Sequence, residues 1–132
     1  MTNRVKGPFD VKMIPQPPDE AAGGAAIGRM LLDKTFHGAL DATSKGQMLA
    51  VMTGVKDSAG YVAMEHVVGT LEGKRGTFAL QHSGTMNRGK QSLDLHVVPD
   101  SGTGDLVGLT GKMAIVITGG KHEYDFEYAL GG

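Results

Sequence analysis

The stretch MAIVITGGKHEYDFEYAL, residues 113–130, carries the clearest strand pattern in the sequence. Its two halves alternate between apolar and polar side chains, which is the two-residue period of a β-strand. Gly119 and Gly120 separate the halves, and paired glycines tolerate the positive φ that a tight hairpin turn requires. The stretch therefore predicts an antiparallel hairpin.

The turn fixes the register of this hairpin. One face is apolar and aromatic while the other carries acidic side chains, so the hairpin has a core side and a water side. The predicted pairs are Ile117 with His122, Ile115 with Tyr124, Met113 with Phe126 and, on the water side, Lys112 with Glu127.

The segment GYVAMEHVVGTLEGKRGTFALQHSGTM, residues 60–86, alternates in the same way. A turn centred on Lys74-Arg75 places Glu65 opposite Gly84. A second turn, centred on Arg88-Gly89, places His82 opposite Leu95. Both turns select the same apolar face, which is the agreement expected of a foldable sequence.

Together these patterns predict an all-β protein. The 21 glycines fall between alternating runs, as turns do. Closure into a barrel hides every strand edge. The fold class is therefore a closed antiparallel β-barrel of about eight strands, forming a single domain over 1–132, with 1–7 and 16–26 irregular. The predicted strands are 8–14, 25–43, 47–55, 60–72, 77–87, 91–99, 111–118 and 121–130.

Composition excludes several partners. The formal charge of -1 gives no reason to expect nucleic acid or an anionic membrane as a partner, and there is no cysteine for thiolate chemistry. The five histidines lack metal-ligand spacing, so no metal site is expected. The glycine-rich residues 101–112 leave no room for a dinucleotide-binding helix, so no cofactor is expected. Without a signal peptide or membrane span, we expect a cytoplasmic protein.

Two inward polar residues are the candidates for chemistry. In the predicted register Glu65 lies diagonal to both His82 and Met86, within reach of long side chains. Apolar neighbours predict a raised pKa for Glu65 through desolvation, and a nearby histidine predicts a charge-coupled pair. Glu65 and His82 are therefore the candidate catalytic acid or base.

The same inner face predicts a cavity of roughly 300 Å³ or more that holds a small molecule. The expected ligand-binding residues share this face: Tyr61, Glu65, Val67, Leu80, His82, Met86, Leu95, Met113, His122, Tyr124, Phe126 and Tyr128.

Three functions stay open on this pattern. The first is binding of a small apolar or amphipathic molecule in the barrel. The second is a cofactor-free cyclase or isomerase that uses Glu65 or His82 as acid or base. The third is a structural module with a filled core, in which the outward Ala114 and Val116 suit contact in a homo-oligomer.

Four segments also resemble a known family. KTFHGALDATSKGQML, GYVAMEHVVGTLEGKRGTFALQHSGTM, VVPDSGTGDLVGLTGKMAI and KHEYDFEYAL are similar to bacterial proteins grouped as domain of unknown function 3224, over roughly 8–130. The resemblance implies a barrel like that of allene oxide cyclase, with the dirigent proteins as more distant relatives by fold. It implies an apolar barrel cavity and assigns no catalytic residues to this chain.

Overall fold

The computed structural model describes residues 2–131 as a closed antiparallel barrel in which eight strands follow one another in chain order. The predicted fold class is confirmed. The strands are β1 (Asn3–Pro15), β2 (Gly28–Phe36), β3 (Leu40–Met52), β4 (Ala59–Leu71), β5 (Lys74–Asn87), β6 (Lys90–Val97), β7 (Leu109–Thr118) and β8 (Lys121–Leu130).

The hairpin of β7 and β8 has the predicted register. Gly119 and Gly120 form the turn with φ of 58° and 81°. All four predicted pairs occur, including Met113 with Phe126. The pairing of β5 with β6, which includes His82 opposite Leu95, is also confirmed. In both hairpins the glycine-containing turn predicts where pairing begins.

The register of β4 against β5 differs from the prediction. The turn is Glu72-Gly73, with φ of 48° and 81°, and Lys74 already belongs to β5. Glu65 therefore lies opposite Leu80, and the expected pairing with Gly84 is wrong. The register moves by an even number of residues, so the predicted inner face is unchanged.

Two predicted boundaries are also wrong. The expected strand over 25–43 is interrupted at residues 37–39, where Gly38 has a φ of 93° that suits glycine. Residues 1–7 were expected to be irregular, but β1 begins at Asn3 because it pairs with β8. Two short 3-10 helices lie in the connection between β1 and β2, at Glu20–Ala22 and Gly24–Ala26.

The two ends of the barrel differ. At one end the interior is occupied by buried apolar side chains, and the short helix Gly104–Leu106 contributes its buried Leu106. Near the other end, inward-facing positions are half-buried or exposed. The fully buried layer at the packed end includes Leu40, Leu71, Phe78, Leu106 and Leu109.

No helix among residues 2–131 is long and apolar enough to cross a bilayer.

Candidate ligand-binding site

Glu65 is the centre of a buried polar cluster inside the barrel. Ser44 Oγ donates a hydrogen bond to Glu65 Oε1 at 2.7 Å, and Lys34 Nζ donates to Oε2 at 2.9 Å. His82 Nε2 also bonds to Oε2. These four side chains, named the polar cluster here, are only 1% to 6% exposed.

The polar cluster spans four consecutive strands. Lys34 on β2 is paired with Ser44 on β3, and both point inward. Glu65 on β4 is paired with Gly46 on β3 and Leu80 on β5. Because Leu80 and His82 share one face of β5, His82 is the diagonal neighbour of Glu65. The predicted closeness of Glu65 and His82 is confirmed, while Met86 is not diagonal to Glu65.

Glu65 is ionised at neutral pH. Burial raises its pKa, but the hydrogen bond from His82 and the charge of Lys34 outweigh burial and lower the pKa to about 2. The expectation of a raised pKa is therefore wrong, because His82 and Lys34 stabilise the carboxylate more than burial destabilises it. An acid with this pKa has no proton to donate at neutral pH.

The ionised carboxylate determines which nitrogen of His82 carries the shared proton. A carboxylate only accepts hydrogen bonds, so the shared proton is on Nε2. Among residues 2–131, every fully buried side-chain nitrogen has a hydrogen-bond partner. Nδ1 of His82 has no partner among these residues. Nδ1 of His82 must therefore reach a solvent-accessible space.

Tyr61 supplies a second free polar group beside His82. Tyr61 is paired with Gly84, and a Cβ at residue 84 would lie 3.1 Å from Cδ1 of the ring. The space above Gly84 is thus filled by the Tyr61 ring, whose centroid is 6.2 Å from that of His82. Burial, with the charge of Glu65, raises the pKa of the Tyr61 hydroxyl. No side chain among residues 2–131 binds this hydroxyl.

Flexible apolar side chains lie between the polar cluster and the open end of the barrel. Met30, Met48 and Met86 occupy inward positions of β2, β3 and β5, and all three are half-buried. Further towards the end, the inward-facing Met13 and Ile117 are 54% and 62% exposed. This end, named the methionine end here, leaves inner apolar surface in contact with water.

The remaining predicted ligand-binding residues lie elsewhere on the inner face. The Tyr124 hydroxyl donates to His37 O at 2.6 Å and accepts from Leu40 N at 3.1 Å. His122 is half-buried, and its ring centroid lies 5.4 Å from that of Phe9. The Tyr128 hydroxyl donates to Glu72. The others are core residues at 6% exposure or less: Val67, Leu80, Leu95, Met113 and Phe126.

Lys34 and Ser44 were missed by reasoning from the sequence, although a signal for each was present. In GRMLLDKTF, alternation places Lys34 on the same face as Leu32 and Phe36. Ser44 shares its parity with Ala42, but it lay in the gap between two predicted strands. Correct placement of the turn at residues 37–39 would have put both side chains inside the barrel.

One cleft lies away from the polar cluster. Its volume is about 290 Å³, and its lining includes Leu93, Leu95 and Met113 but neither Glu65 nor His82. A continuous cavity inside the barrel stays a prediction. Within residues 2–131, no three histidine or acidic side chains converge as a metal site would require.

Comparison with known proteins agrees with this architecture. No curated protein gives a significant match. A solved structure from Shewanella oneidensis MR-1, described as a protein of unknown function from the DUF3224 family, is 51% identical to this chain. The match covers 100% of this chain and 99% of that one, with a TM-score of 0.93. The sequence also matches DUF3224, "Protein of unknown function", over residues 5–128. The chain therefore belongs to the DUF3224 family.

Proposed function

We propose that the protein binds a small amphipathic molecule at the methionine end of its barrel. The apolar body of the ligand contacts the inward methionines. Its polar group meets the Tyr61 hydroxyl and Nδ1 of His82. The observation that carries the proposal is the position of these two free polar groups beside inner apolar side chains that are half-buried or exposed.

The polar cluster suits this role because it holds more donors than its one carboxylate can use. Lys34 has three N–H groups, and the structure assigns one of them to Glu65. The Tyr61 hydroxyl is a further donor. Glu65 itself already accepts hydrogen bonds from Ser44, Lys34 and His82. A ligand with an oxygen acceptor for the Tyr61 hydroxyl and a hydroxyl or amine donor for Nδ1 of His82 therefore complements the site.

The methionines suit a ligand of irregular shape. A methionine side chain is unbranched and polarizable, so it adapts to an apolar surface without a preformed cavity. Three of the chain's eight methionines, Met30, Met48 and Met86, lie above the polar cluster. Movement of these side chains would open room for a ligand with little change in the backbone.

A fluorescent amphiphile tests the proposal. We expect 8-anilinonaphthalene-1-sulfonate to bind wild-type protein saturably, with increased emission, and Met48→Glu to weaken binding at least tenfold. Met64→Glu is the matched control, because Met64 lies on the outer face of β4 and is 50% exposed. Equal losses in the two variants, or no saturable binding to folded wild type, would reject the proposal.

The free Nδ1 of His82 supports a second candidate, a cofactor-free isomerase or cyclase. Ionised Glu65 holds the ring by Nε2, which leaves the Nδ1 lone pair to accept a proton from a bound substrate. In this arrangement His82 is the base and Glu65 is a positioning residue. NMR of cyclohexanone in deuterated water should then show faster exchange of the protons next to the carbonyl. His82→Asn should abolish the acceleration, and an equal rate in that variant contradicts the role.

A further inference from the structure

The barrel has one weakly closed seam. Within residues 2–131, β6 and β7 are paired at a single position, His96 with Lys112. Every other pair of neighbouring strands is paired along most of the shorter strand. Residues 90–95 and 113–118 are in strand conformation, yet they have no strand partner across this seam. Their backbone N–H and C=O groups on that side are available for pairing.

The β7 edge of this seam lacks the usual protection against pairing. Natural proteins blunt exposed strand edges with charged residues, proline or bulges. Residues 113–118, MAIVIT, contain neither a charge nor a proline, and three of the six are β-branched aliphatic residues. Val116 and Ile117 are 47% and 62% exposed. An edge of this composition favours pairing with another strand.

The cleft of about 290 Å³ lies at this seam. Its apolar part is formed by Leu93, Leu95 and Met113, which occupy inward positions of β6 and β7. Leu93 is 41% exposed. Apart from Ala114, the rim is formed by charged residues: Arg4, Asp94, Lys112, Asp125 and Glu127.

We propose that the β6–β7 seam binds an extended polypeptide segment as an added strand. The segment pairs through its backbone with residues 113–118. One apolar side chain lies over Leu93, Leu95 and Met113. This mode supplies affinity through main-chain hydrogen bonds and specificity through pockets for alternate side chains. The proposal does not depend on ligand binding at the methionine end.

The rim indicates which side chains the segment carries on its outward face. Arg4 is committed to Asp125 through two hydrogen bonds, at 2.8 and 2.6 Å. Asp94, Glu127 and Lys112 remain, so the rim keeps a net negative charge. Lysine or threonine at the outward positions, alternating with apolar residues, therefore fits the seam better than an acidic sequence.

A single segment fits this seam better than a second copy of the barrel. A partner barrel that paired through its own β7 would bring β8 and the splayed β6 of that copy to the same place. An extended segment has no flanking strands, and the cleft is bounded by β6 on its far side. We therefore assign the edge to a peptide segment and treat self-association as the competing outcome.

Peptide binding to the wild-type protein tests the proposal without any variant. The probe is a fluorescein-labelled hexapeptide, Lys-Val-Thr-Val-Lys-Val, and its control has the same sequence with every backbone amide N-methylated. Fluorescence anisotropy should show saturable binding of the probe and at least tenfold weaker binding of the control. Equal binding of the two peptides, or no binding up to millimolar protein, overturns the proposal.

A covalent bridge across the seam locates the binding site. The chain has no cysteine, so Asp94→Cys/Ala114→Cys introduces one pair of thiols, two residues from the His96–Lys112 bridge. Dibromobimane fluoresces when it joins two thiols and reports closure. The bridged variant should bind the hexapeptide at least tenfold more weakly than the same variant before bridging.

The matched control is Thr35→Cys/Thr43→Cys, a paired and exposed position on β2 and β3. Bridging there should leave hexapeptide binding unchanged. Equal losses of hexapeptide affinity in the two bridged variants would show that the peptide does not bind at the β6–β7 seam. Sedimentation velocity gives the competing outcome: a wild-type dimer that bridging the seam dissociates would assign the edge to a second copy and overturn the peptide proposal.

Discussion

Gly46 lies directly opposite Glu65 in the pairing of β3 and β4. A Cβ at residue 46 would lie 2.9 Å from Glu65 Cα and 3.0 Å from Glu65 Cγ, and it would collide with the Met64 carbonyl oxygen. The absence of a side chain at residue 46 lets the backbones approach and leaves the carboxylate room to meet its three donors. Glycine is therefore part of the polar cluster's construction.

Gly46→Ala should destabilise the protein by about 1–3 kcal/mol, because the added methyl group forces the backbone and Glu65 to shift. Gly54→Ala is the control, since a Cβ at residue 54 meets nothing within 4 Å. Urea unfolding measures both free energies of unfolding. Equal stability of the two variants would show that the close approach at Gly46 has no energetic role.

Lys34→Met should cost about 3–5 kcal/mol of folding free energy, because it removes one partner of a buried ion pair and leaves Glu65 charged. Lys45→Met, on the outer face of β3 with a side chain 82% exposed, should change the free energy by less than about 0.5 kcal/mol. Adding Glu65→Gln to Lys34→Met should recover part of the loss. Equal free energies of unfolding for the two lysine variants, measured with urea, would contradict a stabilising role for the buried pair of Lys34 and Glu65.

Acid should weaken the fold through Glu65. The folded pKa is about 2 against the ordinary 4.5, so the unfolded chain takes up a proton first as the pH falls. Glu65 contributes about 3 kcal/mol to the free energy of unfolding. This contribution is fully present above the ordinary pKa and is lost as the pH falls from 4.5 to 2.

The comparison for this acid effect is Lys34→Met/Glu65→Gln, which lacks both buried charges. Urea unfolding should be measured between pH 2 and 7. Below pH 4.5, the free energy of unfolding of wild type should fall relative to that of this double variant. A difference that is independent of pH would show that Glu65 gains no stability from its three donors.

The sequence predicts the inner face of the barrel better than it predicts the pairs within it. Alternation is preserved when a turn moves by an even number of residues, so Glu65 and His82 face inward for a turn at Lys74-Arg75 or at Glu72-Gly73. The register itself depends on which turn residues adopt positive φ. Alternation does not decide between those two turns, and the predicted partner Gly84 was therefore wrong.

The polar cluster shows where single-sequence reasoning reaches its limit. Glu65 and His82 belong to hairpin strands with clear alternation, so they could be predicted. Lys34 and Ser44 come from β2 and β3, where the turn at Gly38 was missed. The pKa of Glu65 is low because of the hydrogen bond from His82 and the charge of Lys34. Lys34 was not predicted as a partner, and burial among apolar neighbours alone shifts the pKa in the wrong direction.

Methyl NMR of the methionines reports directly on ligand binding at the methionine end. With 8-anilinonaphthalene-1-sulfonate as the probe, the methyl signals of Met30, Met48 and Met86 should shift together and saturate at one affinity. The methyl signal of the outward Met64 should stay in place. Movement of Met64 with the inward methionines unchanged would place the amphiphile on the outer surface and contradict a ligand site at the methionine end.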